Sequence, residues 1–341
     1  MPILRRPEFR FFLFVLSGLV AVAFVAALAF ARGNPIGTGV VVIETNLAYQ
    51  GGAAAGSGMV LTPSGTVLTN NHVISGATTI RVVVPNTGHS YKATVVGYDK
   101  SGDVGVLRLE GASNLRTISV AKGTPSVGQA VRAVGNAGGT GSLTSAKGVV
   151  TGLNRSIVAS DEQSAPERLT GLIETNAGVQ PGDSGGPLLD SAGRVVGMDT
   201  AASASSAFAA NSSDAYAIPI GKALTIVKQV LAGKASATVH IGPTAFLGIE
   251  VQSVDGGFGD GGYATSGALI AGVVPGGPAA SAGLTAGDVI TAIDGRSVSS
   301  PDQVSPVILA KKPGAKVTVA YIDQYGNGST TTVKLGTGPA Q

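Results

Sequence analysis

From residue 40 onward, short apolar and β-branched runs alternate with clusters of Gly, Ser, Asn and Asp. That rhythm predicts strands separated by turns. Six runs fall at 40–45, 58–62, 66–70, 79–84, 92–99 and 104–110. A second six fall at 130–135, 142–153, 172–175, 187–190, 195–200 and 215–219. Two sets of six, parted near 123–128, suggest two β-barrels. Residues 220–232 carry apolar positions at helical spacing and are expected to close this unit. A polar connector follows at 234–244.

The pattern changes at residue 245. Strands are predicted at 246–252, 268–274, 288–293, 316–322 and 329–335, with a short Ala-rich helix at 277–283. A helix at 301–312 starts well, with Ser300 before Pro301. Pro306 lies inside it, where a missing N–H and a ring clash should make the helix irregular.

The opposite pattern stands at the N-terminus. Residues 11–31 hold no charge, long enough to span a bilayer as a helix. Arg5, Arg6 and Arg10 precede them, which predicts an N-in anchor with everything after Arg32 outside the cytoplasm. The reading is therefore a cytoplasmic 1–10, a membrane anchor 11–31 and a linker 32–39, giving a single-pass protein of the cell membrane. The competitor is a secreted protein cleaved near Ala31, since Ala29-Phe30-Ala31 fits a small-residue cleavage pattern. The linker reaches at most about 26–29 Å when extended, so an anchored domain would sit close to the membrane.

Composition changes the picture in two places. The 341 residues include 51 glycines and no cysteine, which excludes disulfides, thiolate metal sites and a cysteine nucleophile. The net charge is +3, and the residues before the apolar stretch supply two of those charges. The rest is near neutral, so the basic balance does not argue for a nucleic-acid partner.

Candidate chemistry centres on residues 182–187, Gly-Asp-Ser-Gly-Gly-Pro. A serine between glycines suits a nucleophile on a tight turn, whose backbone N–H groups can hold an oxyanion. Ser184 needs a base, and only three histidines exist. His89 lies in a loop and His240 in the connector. His72 ends an apolar run behind Asn70-Asn71. Asp103, just ahead of the apolar run 104–109, is the candidate that orients the base; Asp99 is its rival. The order His72, Asp103, Ser184 is trypsin-like. Three scattered histidines make a poor metal set, so no metal or other cofactor is expected.

Thr69-Asn70-Asn71-His72-Val73, Asp103-Val104-Gly105-Val106-Leu107 and residues 182–187 resemble the histidine, aspartate and serine motifs of the trypsin-fold HtrA/DegP serine proteases, specifically the exported actinobacterial PepA-like branch. Gly135-Asn136 and Ala217-Ile218-Pro219 fit the same resemblance, which covers residues 40 to 337. It implies a mainly β fold: a chymotrypsin-like double β-barrel at 40–232, a linker at 233–244 and a PDZ domain at 245–337. It implies Ser184 as nucleophile, His72 as base and Asp103 as orienter, with an oxyanion hole from the N–H groups of Gly182 and Ser184. Thr200 would support the aspartate. Gly178 would floor a pocket for small or medium apolar side chains. Asp199 stands where the family more often has asparagine; a side chain entering the pocket would admit basic residues. Asp183 also departs from the family, and no activation site offers it a new N-terminus. Loops 154–168 and 201–214 are then the candidates for control by ordering.

Phe246-Leu247-Gly248-Ile249 resembles a PDZ carboxylate-binding loop, which implies peptide C-termini as partners. Unfolded or misfolded polypeptides are the implied substrates, and a homo-oligomer is compatible although residues 32–46 lack the aromatics of trimeric relatives. The alternative is a chaperone or scaffold that binds C-termini with little catalysis.

Overall fold

In the computed structural model, residues 37–159, 167–200, 215–254 and 266–340 are described. The expected anchor and its flanks, and most of the two candidate control loops, lie outside them. Among the described residues no helix is long and apolar enough to cross a membrane.

The first sheet is built from β1 (Val40–Leu47), β2 (Gly52–Val60), β3 (Thr66–Thr69), β4 (Thr79–Val84), β5 (His89–Asp99) and β6 (Val104–Leu109). Its order is β5-β4-β1-β2-β3-β6, and a further β5–β6 pairing returns the sheet on itself. The second set is β7 (Ala130–Gly135), β8 (Thr144–Ala159), β9 (Glu167–Thr175), β10 (Pro187–Asp190), β11 (Val195–Thr200) and β12 (Ala215–Pro219), which form a closed barrel. All six predicted runs of each set are strands. The largest differences are β2, which begins earlier, and the β8–β9 ribbon, which runs further on both strands.

Two short helices belong to this part: α1 (Asn71–Ile74), a single turn, and α2 (Ile220–Leu231). The α2 helix buries Ile220, Ala223, Ile226, Val227 and Val230, an i, i+3, i+7, i+10 stripe with Ile226 alongside. Its apolar face shares one core with Met59 and Leu68 of the first sheet and Leu172 and Met198 of the second. The barrels are thus joined by common hydrophobic burial, each such side chain contributing about 1.5–3 kcal/mol.

The expected polar connector contains a strand. β13 (Val239–Ile241) adds to the edge of β5, and Val239 is buried in the shared core. Three residues with one buried side chain give too short a pattern to read without the partner strand.

The C-terminal sheet comprises β15 (Ile249–Ser253), β16 (Ala268–Val273), β17 (Val289–Ile293), β18 (Arg296–Ser297), β19 (Lys316–Ile322) and β20 (Gly328–Lys334). The order is β15-β16-β17-β19-β20, with β18 on β17. A separate ribbon pairs β14 (Thr244–Phe246) with β21 (Gly336–Gly338). The single strand predicted at 246–252 is therefore two, broken at Leu247-Gly248, where Gly248 has φ +79°. The helices are α3 (Pro278–Ser281) and α4 (Val304–Leu309), and both pack on a core including Ile270, Ile290, Val317 and Val333. The predicted helix at 301–312 is a 3-10 turn, Pro301–Gln303, followed by α4. The change of helix type places Pro306 in the first turn of α4, where an N–H would have no intrahelical acceptor.

Candidate active site

The α1 turn starts at the end of β3 and presents His72 from the first sheet. Its backbone N–H donates to Asp103 Oδ1 at 3.0 Å, and its ring Nδ1 lies 3.0 Å from both Asp103 oxygens. Placing the proton on Nδ1 satisfies that carboxylate and leaves Nε2 as the basic nitrogen. Asp103 is buried, with φ +50°, an uncommon conformation for a residue with a side chain. Its position is held from three sides: Asn70 Nδ2 donates to its carbonyl at 3.0 Å, its N–H donates to Lys100 O at 3.0 Å, and Thr200 Oγ1 donates to its Oδ2 at 3.1 Å.

Thr200 belongs to the second barrel, so the Asp103 carboxylate is met from both. Asp99 does not compete: it ends β5 and caps the Ser101–Gly102 turn and Thr238 instead.

Ser184 sits in the turn between residue 180 and β10, and is buried. Asp183 N–H donates to Gln180 O, Gly185 N–H to Asp199 O and Gly186 N–H to Asp183 O, which closes the turn against β11. Gly182 (φ +97°) and Gly185 (φ +85°) are required here. A Cβ on the first would strike Asn136 O, and on the second Ser57 O and Thr69 Oγ1. Among the described residues the Gly182 N–H meets no protein acceptor.

Ser57 joins this turn to the His72 side, and sequence reasoning passed it over. Its Oγ donates to Gly182 O (2.8 Å) and accepts from Asn136 N–H (2.9 Å). Its N–H donates to Ser184 O at 2.8 Å, and its carbonyl accepts from Thr69 Oγ1 at 2.7 Å, three residues before His72. The available signal was Gly56-Ser57-Gly58, small residues inside a strand, which mark a close backbone approach.

Asp183 and Asp199 form a second acidic feature under the serine. Asp183 Oδ2 accepts from Gln180 N–H at 2.9 Å, while Oδ1 is buried without a partner among the described residues. Asp199 is completely buried, and among the described residues neither of its oxygens has a partner. Burial, and then the Asp183 charge, push the Asp199 carboxyl well above the usual carboxylate range. Burial also raises Asp183, against the pull of the Gln180 N–H. The space beside Gly178 is open: nothing lies within 4 Å of where a Cβ would stand.

The other two histidines lie elsewhere. His89 opens β5 beside Tyr91 (ring centroids 5.9 Å apart), and His240 stacks on Tyr98 at 5.0 Å. In the C-terminal unit Leu247 is buried, and among the described residues the N–H groups of Leu247 and Gly248 meet no protein acceptor. The Phe246 ring faces away from that unit's core and stacks on Tyr49.

Two β-barrels with an Asp–His pair on one and a glycine-cradled serine on the other are the features of a trypsin-like serine protease. Residues 56–198 match the family model described as trypsin-like peptidase domain, and residues 245–335 match the PDZ domain. The serine protease PepD of Mycobacterium tuberculosis is 34% identical over 316 residues, covering 87% of this chain and 63% of that protein. A probable periplasmic serine protease do/HhoA-like of Haemophilus influenzae is 35% identical over 269 residues, 78% of this chain and 55% of its own length. The solved HtrA-type protease AlgW with tripeptide is 27% identical with a TM-score of 0.50, covering 91% of this chain and 96% of that one. The chain carries a trypsin-like peptidase domain and a PDZ domain, and the relatives and solved structures it resembles are serine proteases of the PepD, Do-like and HtrA type. It spans less than two thirds of the length of the two relatives named above.

Proposed function

We propose that the chain is an HtrA-type serine endopeptidase that hydrolyses unfolded or damaged polypeptides outside the cytoplasm. The observation that carries this reading is His72 Nδ1 at 3.0 Å from both Asp103 oxygens, beside the glycine-cradled Ser184 turn.

In this mechanism Ser184 Oγ attacks the scissile carbonyl carbon while His72 Nε2 takes its proton. The negative charge that develops on the carbonyl oxygen is met by the N–H groups of Gly182 and Ser184. The C–N bond breaks as His72 gives the proton to the leaving amine. A water, deprotonated by His72, then attacks the acyl-Ser184 ester; the acid product departs and Ser184 recovers its proton. Asp103 fixes the imidazole tautomer and faces the imidazolium, and Thr200 holds Asp103.

The protease domain is assigned to 40–232 and the PDZ domain to 245–337, joined by 233–244. Open space at Gly178 suits a small or medium apolar side chain. Asp199 is too buried to meet a basic one. The Leu247 and Gly248 N–H groups are available for a peptide carboxylate, and β15 at the sheet edge can add a peptide strand. Residues 11–31 supply a membrane anchor, which puts the protease on the outer face; the periplasmic naming of relatives agrees with that side. A homo-oligomer is compatible with the fold.

Casein degradation tests the reading. The wild-type chain should degrade casein and Ser184→Ala should not, with both equally folded by circular dichroism. Equal degradation by the two would refute it.

A further inference from the structure

The segment after β20 does not stay with the PDZ domain. β21 pairs with β14 in the register Thr244↔Gly338, Ala245↔Thr337, Phe246↔Gly336. Two residues further, Ala340 forms a parallel bridge with Ser75 and accepts from the Gly76 N–H at 2.9 Å. Ala340 is 3% exposed and belongs to the core of the first barrel, together with Ile43, Val73, Ile74 and Ala77. Residues 336–340 therefore run from the PDZ domain into the barrel that carries His72.

Both ends of this strap touch groups with a role. At its far end, Ser75 is the residue that closes α1: its N–H donates to Asn71 O at 2.9 Å. A four-residue helix has no stability of its own, so its position is set by what holds its ends. Asn70 and Asp103 hold the start, and Ala340 holds the finish. At its near end, Gly338 lies flat against Phe246; a Cβ there would come within 2.6 Å of Phe246 Cβ and 2.8 Å of its ring. The same ring stacks on Tyr49, with centroids 5.0 Å apart and planes 11° from parallel. Tyr49 shares the 3-10 turn Ala48–Gln50 with Gln50, whose amide lies against Gly76. Phe246 is also the first residue of the loop assigned to the peptide carboxylate.

We propose that residues 336–340 are a positioning strap for His72. The strap fixes the end of α1 and with it the position of His72. Ala340 and Gly338 act through Ser75 and stand outside the site that meets substrate.

The experiment uses the full chain and a small chromogenic ester that does not need the PDZ domain. Gly338→Val pushes the strap off the Phe246 ring, and Ala340→Thr disturbs its other end. Each should lower kcat about tenfold at unchanged KM, because a small displacement of a catalytic group has effects of that order or more. The acid limb of the pH–rate profile should move as well, which loss of stability alone would not cause. If one single variant fails to fold, the other carries the test. Folded variants with wild-type kcat and pH profile would overturn the strap.

Discussion

Asp103 and Asp199 are both buried and are connected through one residue, Thr200, yet their surroundings are opposite. Each Asp103 oxygen meets a donor: the His72 N–H and ring on one, the same ring and the Thr200 hydroxyl on the other. Among the described residues Asp199 has no donor on either oxygen, and the charge that acts on it is that of another carboxylate, Asp183. A buried carboxylate with donors on both oxygens is a fixed anchor for an imidazolium. One without them is shifted toward the neutral acid, a form that buries no second negative charge beside Asp183. Burial alone therefore does not say whether an aspartate serves the chemistry; the donors around it do.

The sharpest way to break this contrast is Asp103→Asn. The amide keeps the shape but presents the wrong group to Nδ1, and kcat should fall roughly 10,000-fold with little change in KM, as read with a chromogenic substrate. A loss below tenfold would remove Asp103 from the mechanism. Next in size is Thr200→Val, which deletes one hydrogen bond to a carboxylate. It should cost about 10- to 100-fold in kcat, from the ~1.5–3 kcal/mol of such a bond. Wild-type kcat in that variant would show that the second barrel does not support Asp103.

Ser57→Ala removes the hydroxyl that bridges Gly182 and Asn136. It should lower stability by about 1–3 kcal/mol, since the buried Asn136 N–H loses its acceptor. Chemical denaturation measures this, and an unchanged midpoint would deny the bridge its role.

The smallest kinetic effect, and a gain in stability, is expected from Asp199→Asn. Both raised carboxyls favour the protonated form, so folding takes up protons as pH rises above the ordinary value of 3.8. The pair's contribution is complete below that pH and is lost as pH rises through the raised folded-state values. Wild-type stability should therefore decline across this window. An amide at 199 carries no charge at any pH of this window. Asp199→Asn should flatten the decline and gain about 1–3 kcal/mol at pH 8, with kcat within threefold of wild type. A variant less stable than wild type at pH 8 would mean that the Asp199 oxygens have partners.

The contrast between these aspartates also marks what a sequence can show. The strands of both barrels were readable because Gly, Asn and Ser bound nearly every apolar run. The motifs around His72, Asp103 and Ser184 were readable because each carries its own local pattern. Their support was not. Ser57 looks like any small residue in a strand until Gly182 and Asn136, more than 75 residues away in sequence, close on it. β13 and β21 are three residues each and exist only because β5 and β14 offer an edge. The Asp183–Asp199 pair spans 16 positions, and nothing local to either predicts the other. In the 301–312 segment the sequence led to an expectation of irregularity around Pro306, and the segment is indeed divided, at Gln303-Val304. What the sequence could not show is that a 3-10 turn would come first and leave Pro306 harmless.

The most direct measurement of the central claim is labelling with a fluorophosphonate probe, followed by mass spectrometry of the adduct. Wild-type protein should carry one adduct on Ser184 Oγ. Labelling should vanish in Ser184→Ala, and in Asp103→Asn it should slow by the same factor as kcat. Well-folded wild-type protein that takes no label, or an adduct that persists in Ser184→Ala, would contradict the account.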